Sequence, residues 1–135
     1  MVLDSNIIIG AYRRDHTVRE ILEQVRAGRG EIEIALSVVT IAELLHGAYR
    51  TKAQAQQQRQ LEFVERLSID VPVHSVTLAI AWLAGRIEGQ QGALGVQFPF
   101  EDLLIGATAL HLGYEVATLN LRDFQRIPSL FVIQL

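Results

Sequence analysis

The chain contains no cysteine. That excludes structural disulfides, thiolate-held zinc and a cysteine nucleophile, and it says nothing about compartment. Lysine is almost missing, since Lys52 is the only one among 12 basic residues. Arginine suits bidentate phosphate contacts, although a plain compositional bias toward arginine would look the same. Aromatics make up only 7% of the residues, so extensive base stacking is not expected. Neither sign of charge dominates: the formal net charge of -3 gives no global pull toward nucleic acid or membrane. Long apolar runs are also lacking. The longest uncharged stretch, Val71–Gly85, falls short of a bilayer span and contains Pro72, His74, Ser75 and Thr77. Asp4 interrupts the first apolar run at once, so no secretory signal is expected and a cytoplasmic protein is the default. No glycine-rich loop ends in GK[ST], no G-x-G-x-x-G follows a strand, and no G-x-S-x-G is present. This argues against P-loop, dinucleotide and nucleophile-elbow chemistry. His16, His46, His74 and His111 lie scattered, without the spacing of a zinc site.

What is present is an alternation of strand-like and helix-like segments. At 135 residues, half of them apolar, the chain is expected to be one domain over residues 1–135 with a sizeable core. Val2-Leu3 reads as a short buried strand, turned by Ser5-Asn6 into a segment ending near Arg13-Arg14. Val18, Ile21, Leu22 and Val25 recur at helical spacing until Gly28-Arg29-Gly30. Ile32, Ile34 and Leu36 alternate with Glu31 and Glu33 as a strand running into Ser37-Val38-Val39. Thr40 opens a helix with Ile41, Leu44, Leu45 and Ala48 on one face. The Gln-rich stretch Ala53–Gln60 leads into Leu61, Val64 and Leu67 as a solvated helix. Ile69–Val73 is expected as a strand, Ser75–Gln90 as an amphipathic helix carrying Trp82, and Gln91–Val96 as a loop. Pro99 opens a buried helix with Leu103, Leu104, Ala107 and Leu110. Tyr114–Thr118 reads as a strand, Asn120–Phe124 as a tight polar turn, and Leu130–Ile133 as the last strand. No internal repeat and no domain boundary is visible. The pattern implies an α/β fold with a mainly parallel sheet covered on both faces, whose ligands bind beyond the carboxyl ends of the strands.

Four acidic or amide positions each close an apolar run and open a helix-like segment. They are Asp4 in MVLDSNIII, Glu43 in SVVTIAELLHGA, Asp102 in PFEDLLIGATAL and Asn120 in EVATLNLRDF, with Asp123 just behind. The topology brings them to one edge of one sheet. Two carboxylates about 5 Å apart repel by roughly 3 kcal/mol at an effective dielectric near 20. A whole domain is stable by only about 5–15 kcal/mol. Three such groups together call for a counter-charge, and the simplest is a divalent cation. Oxygen ligands without His or Cys favour Mg²⁺ or Mn²⁺ over zinc.

Each position also has a plainer explanation. Asp4-Ser5-Asn6 holds three good N-cap residues. Thr40-Ile-Ala-Glu43 matches a capping box. Glu101 and Asp102 sit in a first helical turn, where acids favour the helix dipole. Asn120 fits a turn. These explanations are weakest at Asp102, which is set between Phe98-Pro99-Phe100 and Leu103-Leu104-Ile105; an acid in that apolar wall needs a partner or a metal. Glu101 is the better candidate for a plain solvated residue.

With these residues in view, the chain resembles the PIN-domain ribonucleases, and among them the VapC-type toxins of bacterial toxin–antitoxin pairs. LDSNIII looks like the opening LDTN-x-x-I, with Ser5 for the usual threonine. SVVTIAELLHGA looks like the second block, PFEDLLIGATALHLGY like the third and ATLNLRDFQRIPSL like the closing one. The resemblance covers nearly the whole chain, in order. It implies a PIN-like three-layer sandwich in which Asp4, Glu43 and Asp102 are the catalytic and metal-binding acids, with Mg²⁺ or Mn²⁺ as cofactor. It also implies RNA as substrate, a homodimer and a VapB-like antitoxin. The fourth acidic position of PIN domains is Asn120 here, and Asp123 competes with it for the role. Arg13, Arg14, Arg50, Arg86, Arg122 and Arg126 are candidates for a rim that guides RNA phosphates. Two other readings stand beside the nuclease. One is a PIN-like module that has lost activity and binds RNA or protein. The other is a phosphatase of haloacid-dehalogenase type, which would need Asp-x-Asp where the chain has Asp4-Ser5-Asn6.

Overall fold

The computed structural model describes all residues, Met1–Leu135. In chain order the elements are β1 (Val2–Leu3), α1 (Ser5–Arg13), α2 (Val18–Arg29), β2 (Leu36–Ser37), α3 (Val38–Arg50), α4 (Gln54–Asp70) and β3 (Val73–His74). Then come α5 (Leu78–Gly92), α6 (Phe100–Leu112), β4 (Val116–Thr118), α7 (Leu121–Gln125) and β5 (Val132–Gln134). Every strand pairing is parallel: β1 with β4, β4 with β5, and β2 with β3. A bridge between Val2 and Ala35 links the two sets, with Leu3 N–H donating to Ala35 O at 3.1 Å and Ala35 N–H to Met1 O at 2.8 Å. The order across the molecule is therefore β3-β2-β1-β4-β5. The chain leaves β1 toward β2 on one side and returns to β4 on the other, which opens a crevice at the carboxyl end of the central strands.

Alternation along the strands divides the core into two layers, because successive side chains point to opposite faces. Leu3, Leu36 and Ala117 join Ile8, Ala11, Val25 and Leu67 on one face. Val2, Ala35 and Val116 join Ile80, Ile105 and Phe124 on the other. Helices α1, α2 and α4 supply the first layer, and α5, α6 and α7 the second. This is the helix–sheet–helix sandwich expected from the sequence.

Several boundaries differ from the expectation. The strand read from Ile32 to Val39 is reduced to Leu36–Ser37, because Ser37 caps α3 and the chain turns helical at Val38. Ile69 and Asp70 are the last turn of α4 rather than the start of a strand, and Ile69 is exposed, an apolar residue on a solvated face. The capping residue of α5 is Thr77, not Ser75, and that helix runs on to Gly92. Trp82 lies on α5 but is 75% exposed. The segment read as a polar turn after β4 is the short helix α7.

Candidate active site

Asp4 leaves β1 directly into α1. It is the N-cap of that helix, and its Oδ1 accepts the Ser5 N–H at 2.8 Å. The capping reading is thus correct for one oxygen. The other, Oδ2, accepts the Thr118 hydroxyl at 2.8 Å. Thr118 ends β4, fully buried, and its Oγ1 also accepts Asn6 Nδ2 at 3.2 Å and the Asn120 N–H at 2.9 Å. One donated and two accepted bonds fill a hydroxyl's capacity. Asn6 Oδ1 in turn accepts the Leu119 N–H at 3.1 Å. This network ties the end of β1 to the end of β4. Burial pushes the Asp4 carboxyl above its ordinary range, while the bonds from Thr118 and Ser5 pull it back.

Glu43 lies on α3, half-buried, and its plainer explanation fails. The helix is capped by Ser37, whose Oγ accepts the Val39 N–H at 3.1 Å. Thr40 is inside the helix, so Thr40 and Glu43 form no capping box. Glu43 Oε2 accepts the Ser5 hydroxyl at 3.2 Å. Its Oε1 is buried without any partner, as is Thr40 Oγ1. Burial raises the Glu43 carboxyl, and the charges of Asp4 and Glu101 raise it further against the Ser5 bond.

Asp102 stands in the first turn of α6, whose N-cap, Pro99, has no side-chain hydrogen bond to give. Its carboxyl is pushed up to about 7, first by burial and then by the charges of Asp4, Asp123, Glu43 and Glu101. No hydrogen bond offsets this, unlike at Asp4. A favourable helix dipole is therefore outweighed at this position. Glu101 is exposed, as expected of a solvated residue, yet its charge reaches both Glu43 and Asp102.

Asn120 caps α7 without a side-chain cap bond and donates through Nδ2 to Asp123 Oδ2 at 3.1 Å. Asp123 Oδ1 pairs with Arg126 at 2.9 Å, and the Arg126 guanidinium lies 5.7 Å from the centre of the Phe98 ring. The other arginines read as a rim are dispersed and exposed. Arg13 shares a groove of about 360 Å³ with Glu43, Ile8, Tyr12 and Phe63. Arg14 lines a different groove with Leu119 and Gln24. Arg50 ends α3, Arg86 lies on α5 and Arg122 on α7, and none of the three forms an ion pair. Sequence reasoning missed Thr118 and the pairing of Arg126. The signal for Thr118 was present, as a hydroxyl in an otherwise apolar strand, VATL.

Asp4, Glu43 and Asp102 thus feel one another's charge without closing into a finished cage of three ligands. The donor set nevertheless fits a hard divalent cation. It consists of carboxylate oxygens, one of them buried and unpartnered at Glu43, and the positions most in need of positive charge carry no arginine or lysine partner.

A parallel three-layer sandwich that brings Asp4, Glu43 and Asp102 within one another's charge carries a donor set suited to metal-assisted hydrolysis of phosphodiesters. The chain belongs to the PIN domain family, whose model matches residues 1–130, and within it to the VapC ribonucleases. Ribonuclease VapC1 of Haemophilus influenzae is 31% identical over 130 residues, spanning 96% of this chain and 92% of that one. The solved structure of VapBC-1 from nontypeable Haemophilus influenzae matches with a TM-score of 0.81 at 26% identity, over 98% of this chain and 96% of that chain. VapBC2 from Rickettsia felis, solved with a DNA fragment from its promoter, matches with a TM-score of 0.83 over 99% of this chain and 97% of that one. At 22% identity this last likeness speaks for the fold alone. No helix is long and apolar enough to cross a membrane.

Proposed function

We propose that this chain is a Mg²⁺- or Mn²⁺-dependent endoribonuclease and the toxin of a VapBC-type pair, acting in the cytoplasm as one domain over residues 1–135. The observation that carries the catalytic reading is Asp102, a carboxyl that receives no hydrogen bond and is pushed up to about 7, first by burial and then by the charges of Asp4, Asp123, Glu43 and Glu101. A carboxyl left uncompensated in this way is stabilised by a proton below that pH and by a bound cation above it. Asp4, Glu43 and Asp102 would hold the ion, with the Asn120 carbonyl as fourth donor, since both Asp123 oxygens are engaged by Asn120 and Arg126. When bound, a divalent cation polarises phosphate oxygens and lowers the pKa of water.

The chain's own residues do the rest. Thr118 and the Ser5 N–H donate to both Asp4 oxygens and so favour the ionised form against the burial that raises it. Ser5 Oγ restrains Glu43 through Oε2, and the Glu43 carboxylate can orient the attacking water or accept its proton. Arg13, on the Glu43 groove, is the rim arginine best placed to meet a phosphate. A VapB-like antitoxin and a homodimer complete the proposal; light scattering on the purified chain should report at least a dimer at micromolar concentration, and a monomer would remove that part. The test of activity is cleavage of RNA in Mg²⁺ and in EDTA, with Asp102→Asn beside the wild type. Cleavage should occur only for the wild type in Mg²⁺. The module that merely binds RNA or protein is favoured instead if the wild type binds RNA but leaves it intact in either cation.

A further inference from the structure

Two buried side-chain polar atoms in the protein lack any hydrogen-bond partner: Thr40 Oγ1 and Glu43 Oε1. Such orphans are rare in native folds and call for a reason. These two are three residues apart on α3, a spacing that puts side chains on one helix face. Thr40 is fully buried. Its solitude is unusual among the helix hydroxyls of this chain. Thr108, equally buried, donates to Leu104 O one turn back at 2.8 Å, and Ser68 does the same to Val64 O. Thr40 forgoes that bond, and the cap of its helix is already supplied by Ser37. A hydroxyl without a local acceptor is a donor in reserve, and one turn away stands a buried carboxylate oxygen without a donor.

We propose that Thr40 is a positioning residue for Glu43: its hydroxyl is the donor to Oε1, as Ser5 is the donor to Oε2, in the arrangement that holds a cation. One donor at 3.2 Å lets the carboxylate pivot. Two donors on opposite oxygens fix its plane, which is how outer partners orient metal ligands. The inference rests on the reading of Glu43 as a cation-holding acid.

The test uses the full chain as Thr40→Val, Thr40→Ser and Glu43→Gln, with Mn²⁺ affinity by calorimetry and melting in EDTA as readouts. Valine keeps the shape and removes the hydroxyl; serine keeps the hydroxyl. Thr40→Val should melt at or above the wild type in EDTA, because an unmatched buried hydroxyl is gone. It should bind Mn²⁺ about 10- to 100-fold more weakly, and Thr40→Ser should recover most of that loss. Wild-type Mn²⁺ affinity in Thr40→Val, with affinity lost in Glu43→Gln, overturns the role of Thr40 and leaves Glu43 in place. Undiminished affinity in Glu43→Gln overturns the reading of Glu43, and the inference with it. If Thr40→Val fails to fold, Thr40→Ala decides in its place: weakened Mn²⁺ binding upholds the hydroxyl's role, and wild-type affinity overturns it.

Discussion

At the scale of single residues, the three acids differ in how the protein treats their charge. Asp4 receives two hydrogen bonds, Glu43 one and Asp102 none, and Asp102 is pushed up to about 7. The same polarity that makes these positions uncomfortable makes them useful. Glu43→Gln separates chemistry from architecture, since Ser37, not a Thr40–Glu43 box, starts the helix. The variant should keep its helix and melt at or above the wild type in EDTA, one repelling charge having been removed. Its cleavage of RNA should fall by at least about 100-fold, the scale of a lost general acid–base group. Wild-type cleavage by Glu43→Gln would strike it from the catalytic set. Asn120→Ala should weaken Mn²⁺ binding more than Asp123→Ala, because Asp123 is bonded on both oxygens. A larger loss in Asp123→Ala reverses that assignment.

At the scale of elements, the site depends on three helix starts and one close approach. α1 and α6 begin beside the acids they present, and α7 begins at Asn120. Gly106 of α6 permits the approach of the segment after α7: a methyl there would lie 2.5 Å from Ile127 Cδ1 and 3.3 Å from Leu130 Cδ2. Gly106→Ala gains about 1 kcal/mol in helix propensity, but overpacking a filled core costs about 1–3 kcal/mol. Ile127 is itself buried and has little room to yield. A net loss of about 1 kcal/mol is expected in denaturant titration; a more stable variant would show that Ile127 moves aside freely. Elements of this kind were largely legible in the sequence. The helices announced themselves through 3.6-residue spacing and, at α6, through Pro99, while the caps Thr17 and Thr77 emerged only in the structure. The strands were harder to delimit, since two or three residues give periodicity nothing to work on. Ile32–Ile34 alternates as a strand does, yet only Ala35 bridges to β1 before β2 begins. The three acids were singled out in sequence by the apolar runs beside them: Asp4 directly follows β1 and Asp102 sits in the first turn of α6, whereas Glu43 lies inside α3. Thr118 showed only as a hydroxyl in an apolar strand, and its role as the donor to Asp4 was not legible because it depends on which strand ends meet.

At the scale of the whole molecule, the fold assembles like charges at one end of the sheet, and the consequence is a dependence of stability on pH. A carboxyl whose folded pKa lies above its unfolded value is protonated more readily in the native state. For Asp102, raised from 3.8 to about 7, the native state binds the extra proton between those limits. Stability therefore falls as pH rises through that window and stays at the lower level above it. Asp4 and Glu43, shifted in the same direction, add to the trend. A divalent cation replaces the proton and should remove the penalty, binding more tightly as pH rises toward 7. The central claim is that these acids form a cation site. Its most direct test is the melting temperature of the wild type from pH 5 to pH 8, in EDTA and in Mg²⁺. The account predicts a melting temperature that declines toward pH 7 and then levels in EDTA, with Mg²⁺ raising it most at the alkaline end and Asp102→Asn abolishing most of the difference. Coincident curves in EDTA and Mg²⁺ across the whole range would contradict it.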